Sequence, residues 1–310
     1  MIKTIARGSI FIFFTVSTTG IASDTIDRFI ENKISAGLTS IENQISNFIP
    51  GEGDTEVTIS EQDNYNLKFS ILAVRPILKN PYNAITNEHL YFTQFRLSTH
   101  EPFANGDERS LLNAGIGFRT LVNNNNAILG ANLFHDYEFD EGHQRGSLGV
   151  EYLANNFQLY ANIYDRLSDQ VNYTSGSTTI VEEVVNGYDY SIVGSLPYLP
   201  WAKLVYTGYE WDKTGANLEG HRISLEAHII NGLLLEYGEN DIENSSDENF
   251  YKITFKWPQN HLSPTLVTHG VTDYAFPTYN MKDEMLHKVR RTDNMITEQS
   301  GGGFFVVRGT

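Results

Sequence analysis

From residue 55 onward the chain alternates apolar and polar residues, segment after segment. In "FQLYANIYDRL" (157–167), Phe157, Leu159, Ala161 and Ile163 share one face, while Gln158, Tyr160, Asn162, Tyr164 and Arg166 share the other. The same period sets Ile223, Leu225, Ala227 and Ile229 against Arg222, Ser224, Glu226 and His228. It sets Tyr251, Ile253, Phe255 and Trp257 against Lys252, Thr254 and Lys256. A period of two is a strand signal. It leaves two architectures open. A soluble β-sandwich turns the apolar face to its core; a transmembrane β-barrel turns it to lipid and lines a wet lumen with the polar one.

The connections discriminate between them. Strands are read at about 55–60, 64–74, 89–98, 110–121, 127–138, 144–154, 157–167, 187–197, 201–211, 220–229, 232–239 and 249–257. Every second connection is short, as in "VNNNN", "NN", "YLP" and "NG", with 75–88 the exception. The other set holds 61–63, 99–109, 139–143, 168–186, 212–219 and 240–248, and carries a net charge of −14 against +1 for the short set. A sandwich has no reason to sort loops by parity. A barrel has short periplasmic turns and longer external loops. The reading is therefore all-β: a 12-stranded antiparallel transmembrane β-barrel over residues 54–258.

On that register Arg96, Arg119, Asn132, Asp136, Glu151, Asn162 and Arg166 face the lumen. Trp201 and Trp211, ten residues apart on one face, would stand roughly 25 Å apart along the membrane normal, at the two aromatic belts. Trp257 would join the periplasmic belt.

Other classes fall away. A net charge of −16 gives no basic footprint for nucleic acid. The absence of cysteine removes disulfides and thiolate zinc sites. No apolar run after the N-terminus approaches the roughly 18 residues of a membrane helix. Residues 1–22 read as a signal peptide, with Lys3 and Arg7 before "IFIFFTV" and Gly20 and Ala22 at the cleavage positions. Residues 23–53 read as a periplasmic amphipathic helix. Ile26, Phe29, Ile30, Ile34, Leu38, Ile41, Ile45 and Phe48 step by three and four, and Pro50 and Gly51 stop it.

Longer motifs then resemble a known family. "LLNAGIGFRTLVNNNNAILGANLFHDYEF" (111–139), "RGSLGVEYLANNFQLYANIYDRLS" (145–168), "NGYDYSIVGSLPYLPWAKLVYTGYEWD" (186–212) and "YKITFKW" (251–257) resemble the translocator barrel of intimin- and invasin-type inverse autotransporters. "MLHKVRRTDNMI" (285–296) resembles that family's pore linker, matching at Leu286, Val289, Arg290, Arg291, Asn294 and Ile296; Asp293 departs from the usual asparagine run. The resemblance implies an outer-membrane barrel that holds residues 259–310 as a linker through the lumen plus a short tail. It implies export or display of the C-terminal segment at the cell surface, in a family associated with adhesion. Implied partners are outer-membrane lipid and lipopolysaccharide, the barrel-assembly machinery, periplasmic chaperones and a host or cell-surface receptor. About fourteen residues follow Ile296, against about 100 for one immunoglobulin-like passenger domain, so a passenger is not expected.

The alternative is a passive porin or structural outer-membrane protein, in which nothing would plug the pore. Catalytic, metal and cofactor sites are not expected. The densest ligand-like stretch, "HDYEFDEGH" with His135, Asp136, Asp140, Glu141 and His143, reads as an external hairpin with solvated carboxylates. In the barrel register His135 and Asp136 diverge, and a lipid-hydrolysing site on the outer wall would lack a matched third member.

Overall fold

The computed structural model describes residues 53–62, 68–77, 88–100, 109–175, 178–243, 247–258, 263–278, 280–301 and 304–308. The signal-peptide and helix expectations for 1–52 lie outside these residues. No helix among the described residues is long and apolar enough to cross a membrane, which says nothing about strands.

Twelve antiparallel strands close into a barrel. They are β1 (Thr55–Gln62), β2 (Lys68–Pro76), β3 (His89–His100), β4 (Arg109–Val122), β5 (Ala127–Glu138), β6 (Gln144–Ala154), β7 (Phe157–Arg166), β10 (Gly187–Leu196), β11 (Leu199–Trp211), β12 (Leu218–Ile230), β13 (Leu233–Ile242) and β14 (Glu248–Trp257). Each pairs with its sequence neighbours in the wall, and β1 pairs with β14 from Thr55↔Trp257 to Gln62↔Phe250. Closure pairs both sides of every strand, which a membrane requires.

Alternation sorts the two faces. On β7, Phe157, Leu159, Ala161 and Ile163 are exposed while Gln158, Tyr160, Asn162 and Tyr164 are buried. Leu129, Leu133, Leu148, Val150, Ile192 and Leu204 continue the exposed apolar surface. Both chain directions reverse tightly at one end. Asn123, Asn124 and Asn125 all take positive φ, which asparagine tolerates, and Gly232 does so (φ 76°) after Asn231.

Two strands form within residues 168–186, which the sequence alone reads as a loop: β8 (Val171–Ser175) and β9 (Thr178–Val184). Beyond the barrel, β15 (Thr297–Gly301) and β16 (Phe304–Arg308) join them in a separate sheet ordered β16-β15-β9-β8. That sheet stands over the long-loop end.

At the opposite end, residues 263–278 turn the chain back toward the barrel. A helical turn, Leu266–His269, is capped by Thr265, whose hydroxyl accepts from Thr268 N. Tyr198 N donates to Ala275 O (2.9 Å) and Thr272 N to Tyr198 O (3.0 Å). From there the chain enters the barrel. Met281 N donates to Asn125 O (3.1 Å), at the short-turn end. Val185 N donates to Ile296 O (3.1 Å), at the long-loop end. Residues 281–296 thus run the length of the lumen.

The aromatic belt differs from expectation. Trp201 and Trp211 do share a face, but it is the inner one. Trp211 is 1% exposed and packs with Tyr164, Tyr209, Val185 and Ile296. Trp201 is half-buried and donates its indole N–H to Gly270 O (2.7 Å), fastening the re-entry segment. Trp257 sits at the strand end but is covered by Ile230, Val57, Leu233 and Phe255. Surface rings at the two levels are of other types. Tyr91 and Phe118, and Tyr152 and Phe157, pair toward the short-turn end; Tyr190 and Tyr206, and Tyr237 and Tyr251, pair toward the other.

Candidate functional site

The chemistry of the molecule is concentrated where the wall meets the lumen segment. Wall and segment interlock in three levels.

At the short-turn end the contact is apolar. Met281, Met285 and Val289 are buried against Leu90, Phe92, Leu121, Ile128, Leu153 and Tyr160, with Leu286 packed alongside. Phe92 packs its ring tip against β4 because position 117 is glycine: a Cβ there would meet the ring at 2.3 Å.

Above this level the wall grips the segment's backbone. Arg119, fully buried, pairs with Glu151 (Nε–Oε1 2.5 Å, Nη2–Oε2 3.1 Å). Its Nη1 then donates to the carbonyls of Met285 (2.8 Å) and His287 (2.5 Å), over the Phe92 ring. Val289 N donates to Gln94 Oε1 (2.8 Å), and Asn162 Nδ2 to Arg290 O (3.1 Å). Extended backbone inside a lumen has no ladder partners of its own, so side chains must satisfy it.

The middle level is ionic. Arg291 reaches Asp136 with both terminal nitrogens (2.8 and 2.6 Å). Asp136 also accepts from Arg145 Nε (2.9 Å) and Asn113 Nδ2 (2.8 Å). Arg145 donates to Thr292 O (2.8 Å) and stacks over Tyr164, while Arg291 stacks over Phe134. Thr292 N donates to Asp189 Oδ2 (2.7 Å) and to Tyr164 Oη (2.8 Å). Arg290 engages Glu226 with one nitrogen on both oxygens (2.7 Å each). Lys288 meets Glu56 (2.7 Å) and Arg96 meets Asp293 (2.7 Å). Two-oxygen capture of this kind gives geometry as well as energy.

The top level covers the hairpin 139–143. Arg109 holds Glu182 of β9 (2.9 and 3.1 Å), His143 Nε2 stands 3.3 Å from the same carboxylate, and Gln299 Nε2 donates to it (3.0 Å). Burial alone would raise the Glu182 carboxyl; His143 close beside it and the Arg109 charge outweigh burial and hold the carboxyl below its ordinary value.

Of the residues expected in the lumen, Arg96, Arg119, Asp136, Glu151 and Asn162 meet at these levels. Asn132 is buried beside Asn162 across Gly149, where a Cβ would stand 2.3 Å from Asn162 Oδ1 and 2.5 Å from Asn132 Oδ1. Arg166 does not join them. It stands at the rim, at the exposed end of β7, and pairs with Glu183 of the external hairpin. Of the segment residues, Asn294 is half-buried beside the lumen cavity and Ile296 is fully buried. The solvated-hairpin reading of 135–143 also needs correction. His135 is exposed on the outer wall, hydrogen-bonded to Gln144 (3.1 Å). His143 and Glu138 are buried, because the external sheet lies over them, and Glu138 accepts from the backbone N–H of Asp140 (2.6 Å) and Glu141 (3.1 Å). Sequence reasoning did not single out Glu56, Gln94, Arg145, Asp189 or Glu226. All five are polar side chains on the inner face, the parity that would have found them. Among the described residues no group of three or more His, Asp or Glu is placed to hold a metal.

Comparison with known proteins agrees with this architecture. The family model for the inverse autotransporter β-domain matches residues 14–293. A chain solved in work on the mechanism of in-meso crystallization of membrane proteins superposes with a TM-score of 0.64 at 19% identity, covering 80% of this chain and 99% of its own. At that identity the likeness is one of fold. An outer membrane channel from Pseudomonas putida F1 gives 0.49 at 12% identity, covering 66% and 96%. Outer membrane phospholipase A from Escherichia coli gives 0.44 at 10%, covering 68% and 95%.

Proposed function

Because the chain belongs to the inverse autotransporter β-domain family, we propose that this outer-membrane barrel carries its own C-terminal segment through its lumen and holds it at the cell surface. The short-turn end faces the periplasm, and the long acidic loops face outward. One observation carries the reading: residues 281–296 cross the lumen from Asn125 at the short-turn end to Val185 at the other, gripped throughout.

Chemistry supports display over a loosely held plug. Arg119, Gln94, Asn162 and Arg145 bind carbonyl or amide groups of the segment. Backbone capture is indifferent to side-chain identity, which suits a wall that different stretches of chain pass before the final register is reached. Arg290 and Arg291, each on its own carboxylate, then set that register. Beyond Ile296 the chain continues as β15, paired with β9 from Thr297↔Val184 to Ser300↔Val181, so the emerging strand is anchored on an external hairpin. That sheet is the surface offered to a cell-surface receptor, the adhesive role the family implies.

An epitope tag placed after Thr310 tests this. Antibody should label it on intact cells. Labelling only after the outer membrane is permeabilised would overturn the reading.

A further inference from the structure

The lumen segment does not fill the barrel evenly. A cavity of about 200 Å³ remains between it and β1, β2 and β12–β14. It begins at the long-loop rim beside Glu61, Lys68 and Thr99, and descends past Ser60, Ser70 and Thr207 to Glu56 and Glu226. A second cavity, about 50 Å³, runs on from Glu56 and Glu226 past His228 and Lys203 to Gly232 and Ser263 at the short-turn rim. Both are lined by Glu56, Glu226, Thr254, Lys288 and Arg290. The two cavities together reach from rim to rim and are parted where Lys288 meets Glu56 and Arg290 meets Glu226 (2.7 Å each).

From this arrangement we infer that the barrel, with its segment in place, conducts small inorganic anions along the β12–β14–β1 side of the lumen. The inference rests on the occupied lumen and goes beyond display.

The lining fits the task. Hydroxyls of Thr58 and Thr254 (2.9 Å apart), Ser191 and Thr207 (2.8 Å) and Ser224 form a hydrogen-bonding wall that exchanges readily with water. Most charges along the route cancel in pairs: Lys252 with Glu236, Arg96 with Asp293, Lys288 with Glu56, Arg290 with Glu226. Two cations remain. Among the described residues Lys203 and Arg222 have no carboxylate within ion-pair distance; Arg222 leans on Asn240 (3.2 Å) and the Tyr209 ring. Lys203 stands below the constriction and Arg222 above it. Fixed cations on both sides of a narrow polar passage favour anions over cations in transit.

Planar bilayers holding the full chain, with potassium chloride at unequal concentrations on the two sides, test the inference. Small, steady steps should appear with a reversal potential on the chloride side. Lys203→Glu with Arg222→Glu should move that potential to the potassium side. Thr58→Trp, which touches the passage and not the segment's contacts, should lower the steps about fivefold or more. Each variant's fold is checked by the shift in gel mobility between unboiled and boiled samples. Were the steps due to the segment leaving the pore, a single tryptophan would hardly narrow the opened lumen. An absence of steps in the wild type would overturn the inference. So would steps untouched by Thr58→Trp, or a reversal potential unmoved by the charge exchange. A surface-tag failure would instead strike at display and leave these conductance outcomes readable.

Discussion

The two sides of the lumen are built to different rules. Along β3–β7 and β10 the wall meets the segment directly: buried arginines, carboxylates and rings interlock, and Arg119, Asp136, Arg145 and Arg291 have no side-chain exposure. Along β12–β14, β1 and β2 the wall stands back behind hydroxyls and a cavity, and Lys252 keeps 37% of its side chain accessible. One barrel therefore holds its segment mainly by one side; the other adds the Glu56 and Glu226 pairs and otherwise leaves room. Charge in the first is desolvated and costly to disturb, and charge around the cavity, as at Lys252, stays closer to water.

The sharpest way to break this contrast is Asp136→Ala, which strands Arg145 and Arg291 in a buried site. Removing one partner of a buried pair costs about 3–5 kcal/mol. The urea midpoint of the barrel, read from gel mobility of unboiled samples, should fall accordingly. Its counterpart across the lumen, Glu236→Ala, frees the part-exposed Lys252 and should cost about 1 kcal/mol or less. Equal losses would erase the distinction between the sides.

Arginine insertion sharpens it further. Ile163→Arg places a guanidinium on the outer, apolar surface, at a cost of about 2–4 kcal/mol by depth. Asn162→Arg, next to it, points inward, and facing alone would make it harmless. The structure says otherwise: Asn162 is wedged between Asp189 (2.6 Å), Arg290 O and Gly149. Both should reduce the yield of folded barrel, whereas Ser224→Arg, beside the cavity and near Glu236, should be tolerated. Full tolerance of Asn162→Arg would show the gripping side to be loose.

The smallest effect expected is one of pH, at the external sheet. Because the Glu182 carboxyl is held below its ordinary 4.5, its ionised form stabilises the folded sheet above that value. The contribution is lost as pH falls through the lowered folded value. Amide exchange at 297–301, corrected for intrinsic rate, should quicken well below pH 4.5 and hold steady above it. Protection that stays constant on acidification would remove Glu182 as the fastening.

How much of this could be read from residues alone follows from the same contrast. The twelve strands were legible because a barrel wall ties every second side chain to one medium. Facing was legible for residues such as Asp136 and Glu151, since a charge has no place on the apolar surface. Trp201 and Trp211 were assigned to lipid on the premise that rings mark the membrane. A filled lumen breaks that premise: Met285, Val289 and Ile296 need apolar partners, so Phe92, Tyr164 and Trp211 face inward too. Parity alone does not choose partners. Arg291 finds Asp136, but Arg290 finds Glu226 while Glu151 belongs to Arg119, because the register of segment on wall is set by packing across sequence distances of 60 residues or more. The hairpin β8–β9 was hidden among long-loop residues; its strands are stabilised by a tail more than 100 residues downstream, with Val181 opposite Ser300.

The seam between β1 and β14 has a kinetic side. Its partners, Thr55 and Trp257, are separated by about two hundred residues, and drawing ends that far apart together in one step costs on the order of 5 kcal/mol in chain entropy. Every other junction in the wall joins strands next to each other along the chain, or, for β7 and β10, strands parted only by the β8–β9 hairpin, so the barrel can zip strand by strand and leave this pairing to the end. The groups that hold residues 281–296 come from strands as far apart as β1, β4 and β12, so the segment's full site exists only once the wall has brought them together.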